Sequence, residues 1–244
     1  MLFALSGGFP AASTVQAQNV PEIVNRFERA YHSSRTLKAT FLERYLENGK
    51  EVRSEAGLAY FERPGKMRWE YQSPEANLFV IDGKWSWFYV PSDHTVTRVR
   101  AKESSDWRTP LALLAGQMRV SRICSSVEFD TTWRPADSQH TVLRCMVRES
   151  DDRASAQAAD APRSKPRERV LFEVKSVTGE LSRIQVSDPG GVQIEFRFAD
   201  WTFGPPLDAS MFRFAPPKGV AIVDGDLTGP GSSAPAGSWA LGVN

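Results

Sequence analysis

The plainest pattern in the chain lies at residues 66–71, where Met67, Trp69 and Tyr71 fall on one side and Lys66, Arg68 and Glu70 on the other. A period of two, apolar against charged, predicts a strand with one face in water. Upstream, Leu37, Ala39, Phe41 and Tyr45 share one face of a strand over 37–46, and Asn48-Gly49 supplies a hairpin turn after it. The segment ANLFVIDGKWSWFYVP at 76–91 is apolar at consecutive positions on both sides of Asp82-Gly83. It predicts two strands in a hairpin and leaves open which face points inward. Further strands are predicted over 94–101, 120–130, 140–148, 169–177, 180–187 and 192–203, with turns at Thr178-Gly179 and Pro189-Gly190-Gly191.

Helical spacing occurs twice. Over 19–34, Asn19 can cap the first turn, Pro21 fits inside it and Glu22 completes a capping box, while Val24, Phe27 and Tyr31 form an apolar stripe. Over 109–117, TPLALLAGQ places Pro110 in a first turn, Leu111 and Leu114 on one face and Gly116 at a C-terminal stop. About ten or eleven strands joined by short turns pair antiparallel, and a sheet of that size curls or closes. The fold class is therefore mainly β (α+β), with one domain over 19–225. Residues 149–168, polar and without β-branched side chains, are expected to form a flexible loop. The Gly-, Pro- and Ser-rich tail over 226–244 is expected to be disordered.

Composition narrows the function classes. A formal net charge of +1 argues against a dedicated nucleic-acid binder, and the 41% of hydrophobic residues support a sizeable core. No stretch reaches the roughly 18 uninterrupted apolar residues that span a bilayer. Residues 1–18 are apolar and small, and Val15-Gln16-Ala17 is similar to a signal-peptidase site, although no Lys or Arg precedes it. Either a signal that starts further upstream or a disordered N-terminus fits. With no Cys near that site, a lipid anchor there is not expected. Cys124 and Cys145 both lie in strand-like text. In an exported chain they form a plausible disulfide, whose closure contributes about 3 kcal/mol in the chain-entropy model; two buried thiols are the alternative.

Reactive chemistry is scarce. His32, His94 and His140 lack metal-ligand spacing, and GxSxG, Walker A, GxGxxG and HExxH patterns are absent. No catalytic residue, metal site or cofactor is expected. What stands out instead is apolar surface. Eleven large apolar residues crowd positions 67–89, and two predicted helices are little cover for so much of it. That shortage hints at a cavity rather than a filled core.

The run FERPGKMRWEYQSPEANLFVIDGKWSWFYVP at 61–91 closely resembles the hallmark segment of the LolA family, the periplasmic carriers of outer-membrane lipoproteins. TPLALLAGQ is similar to that family's lid helix, PLDASMFRFAPPKGVAIVD at 206–224 to its C-terminal ending, and LKATFLERY at 37–45 also fits. Together the resemblance covers about residues 20–224. It implies a single large curved antiparallel sheet forming an incomplete β-barrel, with short helices as a lid over a hydrophobic cavity. It implies a non-enzymatic, monomeric carrier in the periplasm whose partners are lipoproteins, bound by their acyl chains. An inner-membrane lipoprotein-releasing transporter loads it, and an outer-membrane acceptor unloads it. By the same resemblance Arg63 is the lid clamp, Leu111 and Leu114 belong to the lid helix, and Met67 faces the lipid. The acyl-chain cavity is expected to draw on Met67, Trp69, Tyr71, Leu78, Val80, Trp87 and Tyr89. Three features depart from the family pattern: the length of 149–168, the tail after Asp226 and the Cys pair. A sensor of the same fold that binds lipoprotein and a regulatory protein is the nearest alternative. A lipid or polysaccharide hydrolase and a structural outer-membrane lipoprotein are more distant ones.

Overall fold

The computed structural model describes residues 19–101, 114–116, 119–148, 169–187 and 191–225. The expectations for 1–18, 149–168 and 226–244 lie outside these residues.

Helix α1 (Val20–His32) begins as its sequence predicts: the Asn19 side chain accepts the Glu22 N–H at 2.9 Å and Pro21 stands in the first turn. Its buried face is Ile23, Phe27 and Tyr31, with Val24 at the margin. The apolar stripe is therefore centred one residue earlier than the Val24 spacing suggests. Arg26, paired with Glu22 one turn back, donates to the Ser176 carbonyl at 2.7 Å and fastens the helix to the sheet.

Among the described residues twelve strands follow: β1 (Thr36–Glu47), β2 (Lys50–Glu62), β3 (Lys66–Ser73), β4 (Leu78–Ile81), β5 (Trp85–Val90), β6 (Thr95–Arg100), β7 (Cys124–Phe129), β8 (His140–Val147), β9 (Arg169–Lys175), β10 (Leu181–Ser187), β11 (Val192–Phe203) and β12 (Ala221–Asp224). They form one open curved sheet in the order β12-β6-β5-β4-β3-β2-β1-β11-β10-β9-β8-β7. Among the described residues every pairing is antiparallel except β12 on β6, which is parallel. Short turns force antiparallel neighbours, but β12 arrives by the long connection 204–220, which crosses from the middle of the sheet to its far edge and frees it from that rule. The sheet remains unclosed, since β12 and β7 are its two ends.

The predicted strand over 120–130 begins late. Residues Val120–Ile123 make one helical turn, α2, whose first N–H is capped by Glu28 of α1 at 2.9 Å, and β7 starts at Cys124. Cys124 and Cys145 are disulfide-bonded across β7 and β8. Gly179, in the turn between β9 and β10, lies against the backbone of α1: a Cβ there would stand 2.5 Å from the Arg26 carbonyl. Only glycine lets helix and turn approach so closely.

The main core lies on the concave face, between the sheet, α1 and α2. On the outer face a second, smaller cluster forms around Val80, Trp87 and Val96. The returning segment 205–220 covers it with Phe214 and Val220, and Arg68 holds that segment by donating to the Met211 carbonyl at 3.0 Å.

Candidate functional site

The concave face is built from one phase of each strand. Phe41 and Trp69 face each other edge-on with ring centres 4.6 Å apart, and Trp69 also meets Phe196 at 5.4 Å, Phe61 at 5.9 Å and Phe198 at 6.1 Å. Trp69 is thus the hub of an aromatic floor, with Met67, Phe79 and Tyr71 around it. Edge-to-face contacts of this kind add about 0.5–1.5 kcal/mol each beyond area burial. Helix α1 covers the floor at the β9–β11 side, where Phe27 meets Phe172 at 5.5 Å and Tyr31 meets Trp201 at 5.2 Å. The Tyr31 hydroxyl accepts the buried Leu181 N–H at 2.7 Å, and burial first of all pushes its pKa well above the phenol range.

The structure divides the seven expected cavity residues between two faces. Met67, Trp69 and Tyr71 lie in the concave cluster, whereas Leu78, Val80, Trp87 and Tyr89 lie in the outer one. The register decides this. Met67 pairs with Ile81 and Trp69 with Phe79, so Ile81 and Phe79 share the concave face, and Leu78 and Val80, opposite Glu70 and Arg68, point outward. Across β4 and β5, Phe88 faces Phe79 and joins the concave side, while Trp87 and Tyr89 pair with Val80 and Leu78. Both faces of this hairpin are apolar because both are covered, the outer one by the chain's own C-terminal segment.

Arg63 stands in the turn between β2 and β3, against the segment 114–116. The Gly65 N–H donates to the Ala115 carbonyl at 3.3 Å, and a Cβ on Gly116 would meet the Arg63 stem at 2.5 Å. Leu114 and Ala115 are fully buried in the same cluster as Met67 and Trp69. Leu111 and the rest of the expected 109–117 helix lie outside the described residues; 114–116 form a turn, with Gly116 at φ +73°. The guanidinium has an unusual environment: Nε and Nη2 are buried without a hydrogen-bond partner among the described residues, and burial lowers its pKa. Among the described residues, contact between the turn and the 114–116 segment therefore rests on the Gly65 amide and on packing of the Arg63 stem.

Two polar residues in the concave face were not singled out by the sequence reading. Glu43 and Glu55 are directly opposite each other on β1 and β2, and both are buried. The Tyr71 hydroxyl donates to Glu43 at 2.9 Å and Arg53 pairs with Glu55 at 3.2 Å. Burial, aided by the charge of Glu75, holds the Glu55 carboxyl above the usual carboxylate range against the opposing pull of Arg53 and Asn77. The signal was in the alternation: Glu43 is in phase with Leu37, Ala39 and Phe41. The three histidines sit on separate elements, His32 ending α1, His94 in the turn before β6 and His140 opening β8 beside Asp137 at 2.6 Å. Among the described residues no three His, Cys, Asp or Glu side chains converge as a possible metal site, and no helix is long and apolar enough to cross a membrane.

The family model for the outer membrane lipoprotein carrier protein LolA matches residues 32–215. An outer-membrane lipoprotein carrier protein of Chromobacterium violaceum is 32% identical over 227 residues, covering 93% of this chain and 97% of that protein. A protein of the same name from Nitrosospira multiformis is 28% identical over 218 residues, covering 86% of this chain and 91% of its own length. Among solved structures, an uncharacterized conserved protein from Thermus thermophilus superposes with a TM-score of 0.51 at 16% identity, covering 85% of this chain and 99% of that one; the likeness is one of fold. A match of this extent, on a chain whose open sheet carries an aromatic concave face, places the protein in the LolA family of outer membrane lipoprotein carriers.

Proposed function

We propose that the chain is a non-enzymatic periplasmic carrier. It takes the acyl chains of lipoproteins from an inner-membrane releasing transporter, shelters them against the concave face of its sheet, and delivers them to an outer-membrane acceptor. The observation that carries this reading is the aromatic floor around Trp69, spread over a sheet that does not close and roofed at one side by α1. Membership of the carrier family and the names of its relatives support the same reading.

The energetics suit a carrier that must also release. Burying an acyl chain gains about 0.8 kcal/mol per methylene, so a dozen methylenes give roughly 10 kcal/mol. Loading must first separate the rings that pack on one another in the empty protein, at about 0.5–1.5 kcal/mol per pair. It must also displace Leu114 and Ala115 from the cluster. These opposing costs bring the net affinity into a range from which cargo can leave. Arg63 works against them. Two of its buried donors are unmet among the described residues of the closed form, and opening the 114–116 segment hydrates them. In this reading Arg63 weights the balance towards the open form, rather than holding the segment shut as the expected clamp would. Of the residues first expected to touch acyl chains, Met67, Trp69 and Tyr71 keep that role. Phe79 and Phe88, on the same face, join them.

The test is direct. The full chain, made in a bacterial periplasm and purified without strong detergent, should carry acylated species detectable by mass spectrometry. Charge placed at the floor, as in Phe41→Asp, should remove them. Preparations free of any acylated species in both proteins would end the proposal.

A further inference from the structure

The turn 114–116 and helix α2 both cover the concave face, and they are held to the sheet unequally. Leu114, Ala115, Val120 and Ile123 are all buried in the main core, so apolar packing serves both. At 114–116 the backbone contact among the described residues is the single bond from the Gly65 N–H to the Ala115 carbonyl at 3.3 Å. At α2 several ties converge. Glu28 of α1 accepts the Val120 N–H at 2.9 Å. Arg148, just past β8, donates its N–H to the Ile123 carbonyl at 2.8 Å and its Nε to the Ser121 carbonyl at 3.1 Å. The residue after α2, Cys124, is bonded to Cys145 of β8.

The disulfide stands where the sheet is weakest. β7 is an end strand, and among the described residues it is paired with β8 alone. Its register slips between Cys124 and Ser126, which leaves Ser125 as an extra residue, and a bulge of this kind disrupts the ladder locally. The break falls where α2 leads into β7, so a pull on α2 would open the strand pair from its first residue. In the ladder Cys124 is opposite Val147, and its bond to Cys145 spans the break diagonally. A single helical turn such as α2 has no stability of its own and stays where its ties hold it.

We propose that the Cys124–Cys145 disulfide is the fixed pivot of this cover. When an acyl chain enters, the 114–116 turn lifts away from Gly65, whereas α2 and the start of β7 remain on the sheet. The inference rests on the carrier reading above and adds to it the point at which the moving part ends.

Amide exchange followed by NMR on the full chain reads the two places separately. The Gly65 amide reports the 114–116 contact, and the Val120 and Arg148 amides report α2. The probe is a synthetic lipopeptide with a dipalmitoylglyceryl cysteine at its N-terminus, added below its micellar concentration. In the wild type, loading should speed Gly65 exchange about ten-fold and leave Val120 and Arg148 within about two-fold of their unloaded rates. In Cys124→Ala/Cys145→Ala, loading should speed all three about ten-fold, while the Leu181 amide, held by the Tyr31 hydroxyl, changes by less than about two-fold. Val120 and Arg148 accelerating as much as Gly65 in the loaded wild type would overturn the pivot. So would a double variant in which they stay as protected as in the wild type. Equal acceleration of Leu181 in that variant would mean that the disulfide stabilises the whole domain and would overturn it too. If the lipopeptide does not bind, the carrier reading falls and the unloaded wild type decides the pivot: Gly65 should be about ten-fold less protected than Val120 and Arg148, and equal protection would overturn it. The wild-type series suffices if the double variant does not fold.

Discussion

Replacing Arg63 by leucine tests an unusual energetic feature of the folded protein. In the folded chain Nε and Nη2 are buried and unmet among the described residues, and burial disfavours the charged form. In the unfolded chain the same guanidinium is hydrated. A buried unsatisfied polar group costs about 1–3 kcal/mol. Leucine removes that cost and keeps an apolar stem against Gly116, where the Arg63 methylenes now pack. Leucine reaches as far as the Arg63 Cδ, so only the packing of the guanidinium itself is lost, which opposes the gain without reversing it. Arg63→Leu is therefore expected to raise the unfolding free energy by about 1–2 kcal/mol. In urea denaturation followed by tryptophan fluorescence, the midpoint should rise by roughly 0.5–1 M with an unchanged slope. Loading and handover of cargo should fall, because the closed form loses the feature that favours opening. A lowered midpoint would mean that the guanidinium holds the closed form through bonds of its own. Unchanged handover would show that Arg63 has no part in the opening.

Tyr31→Phe deletes the acceptor of the Leu181 amide at a fully buried position; it should cost about 1–3 kcal/mol in the same denaturation assay, and an unchanged midpoint would show that the bond contributes nothing. Asp130 gives a pH prediction. Burial raises its pKa, but the Thr132 hydroxyl, the Trp133 and Thr132 amides and Arg144 outweigh that and hold it below the usual range. A lowered folded value means that its stabilisation is fully present above about pH 4 and fades as pH falls through the folded value. Asp130→Asn should flatten the acid limb of a plot of Tm against pH, and superimposable curves for the two proteins would refute the assignment.

What the sequence determined by itself was local. The alternation at 66–71, the turns at Asn48-Gly49 and Asp82-Gly83, and the Asn19 cap are statements about neighbouring residues, and each appears where its pattern puts it. Family membership was legible too, because runs such as 61–91 carry it in order along the chain. The face assignment of 78–90 was not. With both sides apolar, period-two reasoning has no contrast to read, and only pairing of β4 with β3, together with the cover of 205–220, sends Val80 and Trp87 outward. Glu43 was visible in the pattern as a charged residue in an apolar phase. Its meeting with Glu55 depends on the register of β1 with β2, and the approach of Asn77 depends on how the chain turns into β4. The parallel β12, reached only after the chain has crossed from the middle of the sheet, was equally out of reach. Propensity and turn chemistry act over a few residues and are written in them. Register, cover and the company a buried charge keeps are set by segments far apart in the chain, whose meeting is decided only when the whole sheet has curved around its core.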